Sequence, residues 1–359
     1  MLSVIESDLR TSPFSTPLHT LAAGLDEYVL KQDSFQAPIS ALRDYLTGID
    51  VTTISATDII HLHGVNGALT ISALERLSAT NRVVWTLHDM NLFTGTCHYS
   101  LGCSKFTRDC SECPAVKKPF RSSVKRNLRR KIISLRNMED VTLVAPSKWL
   151  AKQAGQSQVL KNRSITTIAN PVNSTFVSRN NTLNRQESSQ EFRAVIVAQN
   201  LSDPVKQVEL GVAGFLSTLQ ASHRAKLTLV GKGGESFRGP DIVVKGPLDT
   251  EELAQEFEQA DVIIVPSRAE NSPLVIAEAA ALGCVPLVMD AGGMPAMVSD
   301  LGYGTVFSSA EELTNALVSY SESDPLVRYS TREQIRTRAR KMFSPAAAVA
   351  QYDKVYAST

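Results

Sequence analysis

The sequence predicts an α/β protein of two domains, each built on a parallel sheet covered by helices. Three observations carry this reading. Short β-branched runs recur along the chain, and they do not alternate apolar with polar, as suits strands buried on both faces. Stretches of helical period separate them, the mark of βαβ units. The alternation breaks once, at residues 173–191, where Ser, Asn and Gln dominate and little apolar surface is available to bury; this is the expected linker.

In the first half the strand runs are Asp58–His63, Val83–His88 and Val141–Ala145. In the second they are Ala194–Ala198, Leu227–Val230, Ile242–Val244, Val262–Val265 and Pro286–Met289. Helical patterns fall at Glu251–Gln259 and Leu274–Leu282, and a terminal helix is expected over residues 344–356, with Pro345 in its first turn. The resulting domains are 1–172, carrying a cysteine-rich loop at 97–113, and 192–343. The terminal segment 344–359 is expected to pack back on the N-terminal domain.

Composition narrows the function classes. Of 359 residues, 43% are apolar and 20% charged, which is an ordinary globular balance. Lys plus Arg number 37 against 36 Asp plus Glu, so the net charge of +1 argues against a nucleic-acid binder working by global charge. No apolar run is long enough to span a bilayer, and no signal-peptide pattern is read at the N-terminus; a cytoplasmic location is expected. No strand is followed by a Gly-x-Gly-x-x-Gly turn, which disfavours a dinucleotide-dependent dehydrogenase.

Polar residues cluster where parallel strands end, the edge at which such sheets bind ligands. His61 and His63 close one strand, His88 and Asp89 another, and Pro266–Glu270 follow a third. After that third strand a helix is expected to begin near Ser272 or Pro273, with Ser as N-cap and Pro at the first position, and to stop at Gly283. The free amides and positive dipole of such a helix start suit a phosphate. Glu270 in the loop and Glu278 in the helix could both approach a ligand held there, and a carboxylate taking two neighbouring hydroxyls is a common ribose grip.

These residues resemble a family. Glu270-Asn-Ser-Pro-Leu-Val-Ile-Ala-Glu278 looks like the donor-site signature of family four retaining glycosyltransferases (glycosyl transferases group 1), as do Gly292-Gly-Met-Pro295, Val230-Gly-Lys-Gly233 and Gln259-Ala-Asp261. In the first half, Trp85-Thr-Leu-His-Asp89, Thr94-Gly-Thr-Cys-His98, Cys110-Ser-Glu-Cys-Pro114, Pro146-Ser-Lys-Trp149 and Asn170-Pro-Val-Asn173 resemble its colanic-acid and exopolysaccharide branch. The resemblance implies the GT-B fold, two Rossmann-like domains with parallel sheets facing across a cleft. It implies an enzyme that moves a sugar, with retention, from a UDP-, GDP- or ADP-sugar to a saccharide or polyprenyl-linked acceptor in cell-surface polysaccharide synthesis.

Carried over, the resemblance makes Glu278 the ribose ligand and places Glu270 against the donor sugar. Asn271, Ser272, Pro273, Leu274 and Val275 line the donor site, where the amides of Ser272, Leu274 and Val275 hold the diphosphate or sugar, and Lys206 offsets charge on the diphosphate. His88 matches a histidine facing the donor sugar. His63 and Asp89 are acceptor-side candidates, Asp89 either orienting His88 or binding acceptor. No catalytic metal is expected. The chain departs from the pattern at three places. Ala198–Leu201 stands where the family carries an Arg, Gln207 stands where a Gly follows the lysine, and residues 1–50 lack the usual opening strand and Gly-rich loop.

Cys97, Cys103, Cys110 and Cys113 could supply a structural zinc site, with His98 a substitute ligand, while Cys284 reads as a core thiol. Eight basic and no acidic residues lie between Lys117 and Lys131, either a solvated helix face or a peripheral contact with anionic lipid at the inner face of the membrane. Two other functions are weighed: a catalytically impaired donor-binding subunit supporting a partner glycosyltransferase, and a zinc-stabilised nucleic-acid-binding protein.

Overall fold

The computed structural model describes residues 28–40, 58–65, 69–179, 191–219 and 225–358. The chain divides into two compact units, residues 1–167 with 355–359, and residues 168–354. Much of the 173–191 linker, and most of the altered N-terminal 50 residues, lie outside the described residues. Of the linker, Ser174–Ser178 form a short helix whose Phe176 is buried in the core of the second unit.

The first unit holds a four-stranded sheet in the order β1 (Ile59–His63), β2 (Arg82–Thr86), β3 (Val141–Ala145), β4 (Ile165–Thr167), with every pairing parallel. Val83, Val84, Trp85, Leu143 and Val144 are buried at its centre, as the unbroken apolar runs require. The Ile71–Ser78 helix connects β1 to β2, opened by the Thr70 hydroxyl accepting from Ala73 N–H. The Arg121–Asn137 helix packs on the same core through Val124, Leu128 and Leu135. The segment before β1 is tied in by antiparallel bridges, Lys31 to Val116 and Ile39 to Cys97. The last residues of the chain are held here too. Arg82 donates to the carbonyls of Val355, Tyr356 and Ser358, capping the C-terminal end of the Pro345–Ala357 helix.

The second unit holds six parallel strands: β5 (Phe192–Asn200), β6 (Ala225–Lys232), β7 (Ile242–Lys245), β8 (Val262–Val265), β9 (Val285–Met289) and β10 (Thr305–Phe307). Their spatial order is β10-β9-β8-β5-β6-β7. Counted within this unit, that is the doubly wound order 3-2-1-4-5-6 read from one edge. Its direction reverses between β5 and β8, and the crevice for a ligand opens outside the carboxyl ends of those two strands. β8 is buried at every residue. Asp261, just before it, is locked from the opposite end of the strand by Arg332 (3.2 Å, both side chains 4% exposed) and by Arg193 N–H. The Gln259–Asp261 motif is therefore structural.

Candidate active site

The topological switch point brings together residues far apart in sequence. Lys206 lies in the loop after β5, and Glu270 in the loop after β8. Lys206 Nζ donates to Glu270 Oε1 at 2.6 Å, with the Glu270 side chain 10% exposed and the lysine 30%. Each loop is fixed locally. Asn200 Oδ1 accepts from Ser202 N–H, Asp203 Oδ1 from Val205 N–H, and Arg268 N–H donates to Val205 O at 2.8 Å, joining the two loops. Glu270 is held from a third side. Gly293 N–H donates to its carbonyl at 2.8 Å, and Gly292, at φ +60°, leaves no room for a Cβ, which would lie 1.9 Å from that oxygen. The Gly292–Pro295 motif thus holds the backbone of Glu270, a role invisible from its own position in the sequence.

The helix after Glu270 runs Leu274–Ala281, and its N-cap is Pro273, in extended conformation with no side-chain cap bond. This corrects the expected Ser272 cap. Ser272 stands one residue outside, and Pro273 keeps its fixed φ without entering the helix. The amides of Leu274 and Val275 therefore open the helix ahead of Ile276 N–H, which bonds Pro273 O at 3.2 Å. Leu282 is the C-cap and Gly283 follows at φ +90°, ending the helix where expected.

Glu278 sits one turn inside, half-buried on a helix whose other residues there are apolar. Among the described residues it makes no hydrogen bond or ion pair, and burial pushes its carboxyl up to about 7. An acid kept from water without a partner is receptive to hydroxyl donors. Asn271 and Pro273 are buried, while Ser272 and Val275 are half-buried and Leu274 is exposed. Lys206 and Glu270 therefore meet directly, and the 271–278 stretch leads from Glu270 into the helix. Of the departures from the family, Asn200 spends its side chain on its own turn, and Gln207 adopts φ +48°, the left-handed region its glycine counterpart would enter without strain.

In the first unit the carboxyl ends of β1 and β2 gather three histidines. The rings of His61 and His63 lie 4.0 Å apart, on one face as the x-spacing requires. His63 Nδ1 meets His88 Nε2 at 2.9 Å. His61 is spanned by Tyr356 Oη (2.7 Å) and Thr86 Oγ1 (2.8 Å). Burial lowers all three, His61 to about 4, with the neighbouring rings adding to the effect on His61 and His63, so the cluster is neutral at physiological pH. Asp89 turns elsewhere. Its Oδ2 meets His98 Nδ1 at 2.5 Å and its Oδ1 accepts from Asn91 N–H at 2.7 Å. Asp89 thus pairs with His98, and its charge also acts on the neighbouring His88 ring.

The cysteine loop is compact. Cys97, Cys110 and Cys113 are buried, Cys103 is half-buried, and all are free thiols. Cys97 and Cys113 share a hydrogen bond, and Cys113 also receives the Ala115 and Val116 amides, which together lower its thiol to about 7. Among the described residues, no three of His, Cys, Asp or Glu converge as a metal-holding group. His98 is not a substitute ligand: both ring nitrogens are engaged, by Asp89 and by Ser40 Oγ at 2.7 Å. Nor is the basic stretch uniformly solvated. Lys125, Arg126 and Arg129 are exposed, but Lys131 is buried and donates to Asn91 O (2.5 Å) and Thr94 O (3.0 Å). No described helix is long and apolar enough to cross a membrane.

The switch point of the second unit thus carries a lysine, two acids and a helix start, and comparison with known proteins gives the class of the chain. Residues 192–323 match the family of glycosyl transferases group 1, so the second unit carries that domain and the protein is an enzyme of the glycosyltransferase class. The putative colanic acid biosynthesis glycosyl transferase WcaC of Escherichia coli (strain K12) is 23% identical over 296 residues, 76% of this chain and 68% of that one. The D-inositol 3-phosphate glycosyltransferase of Corynebacterium aurimucosum is 34% identical over 123 residues, 33% of this chain and 29% of the relative. Among solved structures, Anabaena Alr3699/HepE in complex with UDP superposes with a TM-score of 0.61 at 16% identity, covering 84% of this chain and 79% of the other. The fold is that of the GT-B glycosyltransferases.

Proposed function

We propose that this enzyme transfers a sugar, with retention of anomeric configuration, from a nucleoside diphosphate sugar to a saccharide or lipid-linked acceptor of a cell-surface polysaccharide. The observation that carries the reading is the Lys206–Glu270 pair at the switch point, 2.6 Å across, one loop from a half-buried Glu278 that has no partner among the described residues. In this reading Glu278 takes the two ribose hydroxyls. Lys206 has two N–H groups left beyond the one given to Glu270, and turns them to the diphosphate. The amides of Ser272, Leu274 and Val275 supplement it. Glu270 contacts the donor sugar, and His88 is the histidine that the resemblance assigns to that sugar.

The acceptor oxygen forms the new bond to the anomeric carbon as the bond to the diphosphate oxygen breaks on the same face. The acceptor proton passes to the departing diphosphate, whose growing charge Lys206 and the helix start offset. No carboxylate nucleophile enters this route. The solved relatives with UDP and with UDP-glucose favour a uridine donor, and the similarity to a colanic acid glycosyl transferase favours a cell-surface product. His63 and Asp89 belong to the acceptor side in this account. A thermal-shift screen against UDP, GDP, ADP and their sugars tests it: one nucleotide class should stabilise the protein in proportion to occupancy, and none doing so overturns it.

A second reading, donor binding without turnover, is favoured by the strained Gln207 and by the committed side chain of Asn200 within the Ala198–Leu201 stretch that stands where the family has an Arg. Nucleotide binding with no sugar transfer to any acceptor would select it. One accessory feature completes the proposal; the structural zinc expected of Cys97, Cys103, Cys110 and Cys113 is not part of it, because among the described residues they do not converge as a metal-holding group. The exposed Lys125, Arg126 and Arg129 face anionic lipid at the cytoplasmic side of the membrane. Co-sedimentation with anionic liposomes that survives charge reversal of the three rejects that contact.

A further inference from the structure

The turn that carries His88 is held by an unusually complete polar frame. Past β2, residues 89–98 leave the sheet and return, closed by Met90 N–H on His98 O at 3.0 Å. Inside the loop, Asn91 Nδ2 donates to Thr96 O at 3.0 Å. From the Arg121–Asn137 helix, Lys131 takes the carbonyls of Asn91 and Thr94, and Asn127 Nδ2 takes Gly95 O at 2.6 Å. From the segment before β1, Ser40 exchanges bonds with Thr96 through its own N–H (2.9 Å) and carbonyl (2.5 Å). One side chain joins the start of this loop to its end. His98 bridges Asp89 Oδ2 (2.5 Å) and Ser40 Oγ (2.7 Å), with Asp89 and His98 only 23% and 19% exposed.

The two bonds of His98 have fixed roles. Asp89 accepts, so Nδ1 carries the proton, and in the neutral ring Nε2 then accepts from the Ser40 hydroxyl. Asp89 is adjacent to His88 in sequence, and its other oxygen already accepts the Asn91 amide. Of the bonds that hold its carboxylate, the one from His98 Nδ1 reaches across the loop.

We propose that His98 is a positioning residue for the transfer reaction: by holding Asp89 Oδ2 through Nδ1, it fixes the backbone at residues 88–89 and so the place of the His88 ring against His63. The inference rests on the reading that His88 faces the donor sugar. The arm of His98 that matters is the one to Asp89, while the arm to Ser40 only secures the ring.

The two arms separate by substitution. An asparagine amide nitrogen falls where Nδ1 stands, and a glutamine amide nitrogen falls where Nε2 stands. His98→Asn therefore keeps the bond to Asp89, and His98→Gln loses it. The expected result is a kcat for His98→Asn within about threefold of the parent, and a fall of roughly 30-fold for His98→Gln, as follows when a sub-ångström misplacement reaches a reacting group. Nucleoside diphosphate affinity, set in the second unit, stays unchanged in both. Equal losses in His98→Asn and His98→Gln, or parent-like kcat in both, overturns the proposal.

A readout independent of turnover accompanies the kinetics. With six histidines in the chain, ring resonances of a histidine-labelled sample can be assigned. His98→Gln should shift those of His88 and His63, and His98→Asn should leave them in place; the reverse overturns the proposal even if a variant is poorly active. His88→Ala separates the two claims. If it turns over like the parent, the assignment of His88 to the sugar fails, whereas the resonance shifts still report whether His98 positions the ring.

Discussion

Replacing Glu278 by Gln should strengthen the free protein and weaken its grip on nucleotide at once. The carboxyl is raised from its ordinary value near 4.5 to about 7 by burial alone. A raised carboxylate is a cost, absent below the unfolded value and complete above the folded one: stability falls as pH rises from about 4.5 to 7, because the native state holds the proton that the unfolded chain has released. At about 1.4 kcal/mol per pH unit, the shift corresponds to roughly 3 kcal/mol at pH 8, before relaxation reduces it. Glutamine keeps the shape and removes the charge. Thermal denaturation at pH 8 should therefore show Glu278→Gln several degrees above the parent, with the gap closing by pH 5. Binding should move the other way. Two hydroxyls donating to a carboxylate are worth about 1.5–3 kcal/mol apiece, so nucleoside diphosphate affinity should drop by roughly 100-fold. Parent affinity should also rise with pH through 7, while that of the variant stays flat. A variant that is no more stable at pH 8 than the parent, or binds nucleotide as well, refutes the assignment of Glu278.

Three further outcomes follow from the geometry. Gln207→Gly relieves a residue at φ +48° and should raise unfolding free energy by about 1 kcal/mol in urea melts, with no loss of nucleotide binding. Gly292→Ala places a methyl 1.9 Å from the Glu270 carbonyl at φ +60°; it should cost more than ~2 kcal/mol and displace Glu270 from Lys206, seen as lost nucleotide affinity together with a lower Tm. Lys131 is lowered to about 8 by burial, a penalty fully present below pH 8 and relieved as pH climbs toward its ordinary 10.5. The stability of the parent relative to Lys131→Met should accordingly grow by up to about 3 kcal/mol between pH 8 and 10, and a difference flat with pH contradicts the burial.

Much of the fold was legible because interior strands carry their own signal. Val262–Val265 and Val141–Ala145 are apolar at nearly every position, since both faces of a covered parallel sheet are dry. The edge strands Ile165–Thr167 and Thr305–Phe307 gave no such signal, being three residues long and largely exposed. The helix after Glu270 was placed to within one residue, and the miss came from Pro273, whose φ fits both the last residue before a helix and the first residue in it.

At the site, local pattern reveals Glu270 and Glu278, but nothing in the residues around Lys206 marks it, and it enters through the family resemblance alone. Its partner stands 64 positions away, and only the strand order unites them. Asp89 and His98 were noticed separately, each for a different role, because their contact depends on a loop that doubles back. Lys131 was hidden inside a run of charges: helical period alone does not say which member of a basic stretch turns inward to backbone carbonyls.

Titration of the protein with a nucleoside diphosphate and with its monophosphate, in the parent and in Lys206→Ala, measures the grip of the switch point itself. The diphosphate should bind at least tenfold more tightly than the monophosphate in the parent, and that advantage should vanish in Lys206→Ala while monophosphate binding persists through Glu278. Equal affinities for the two nucleotides in the parent, or an advantage that survives loss of the lysine, would contradict the account.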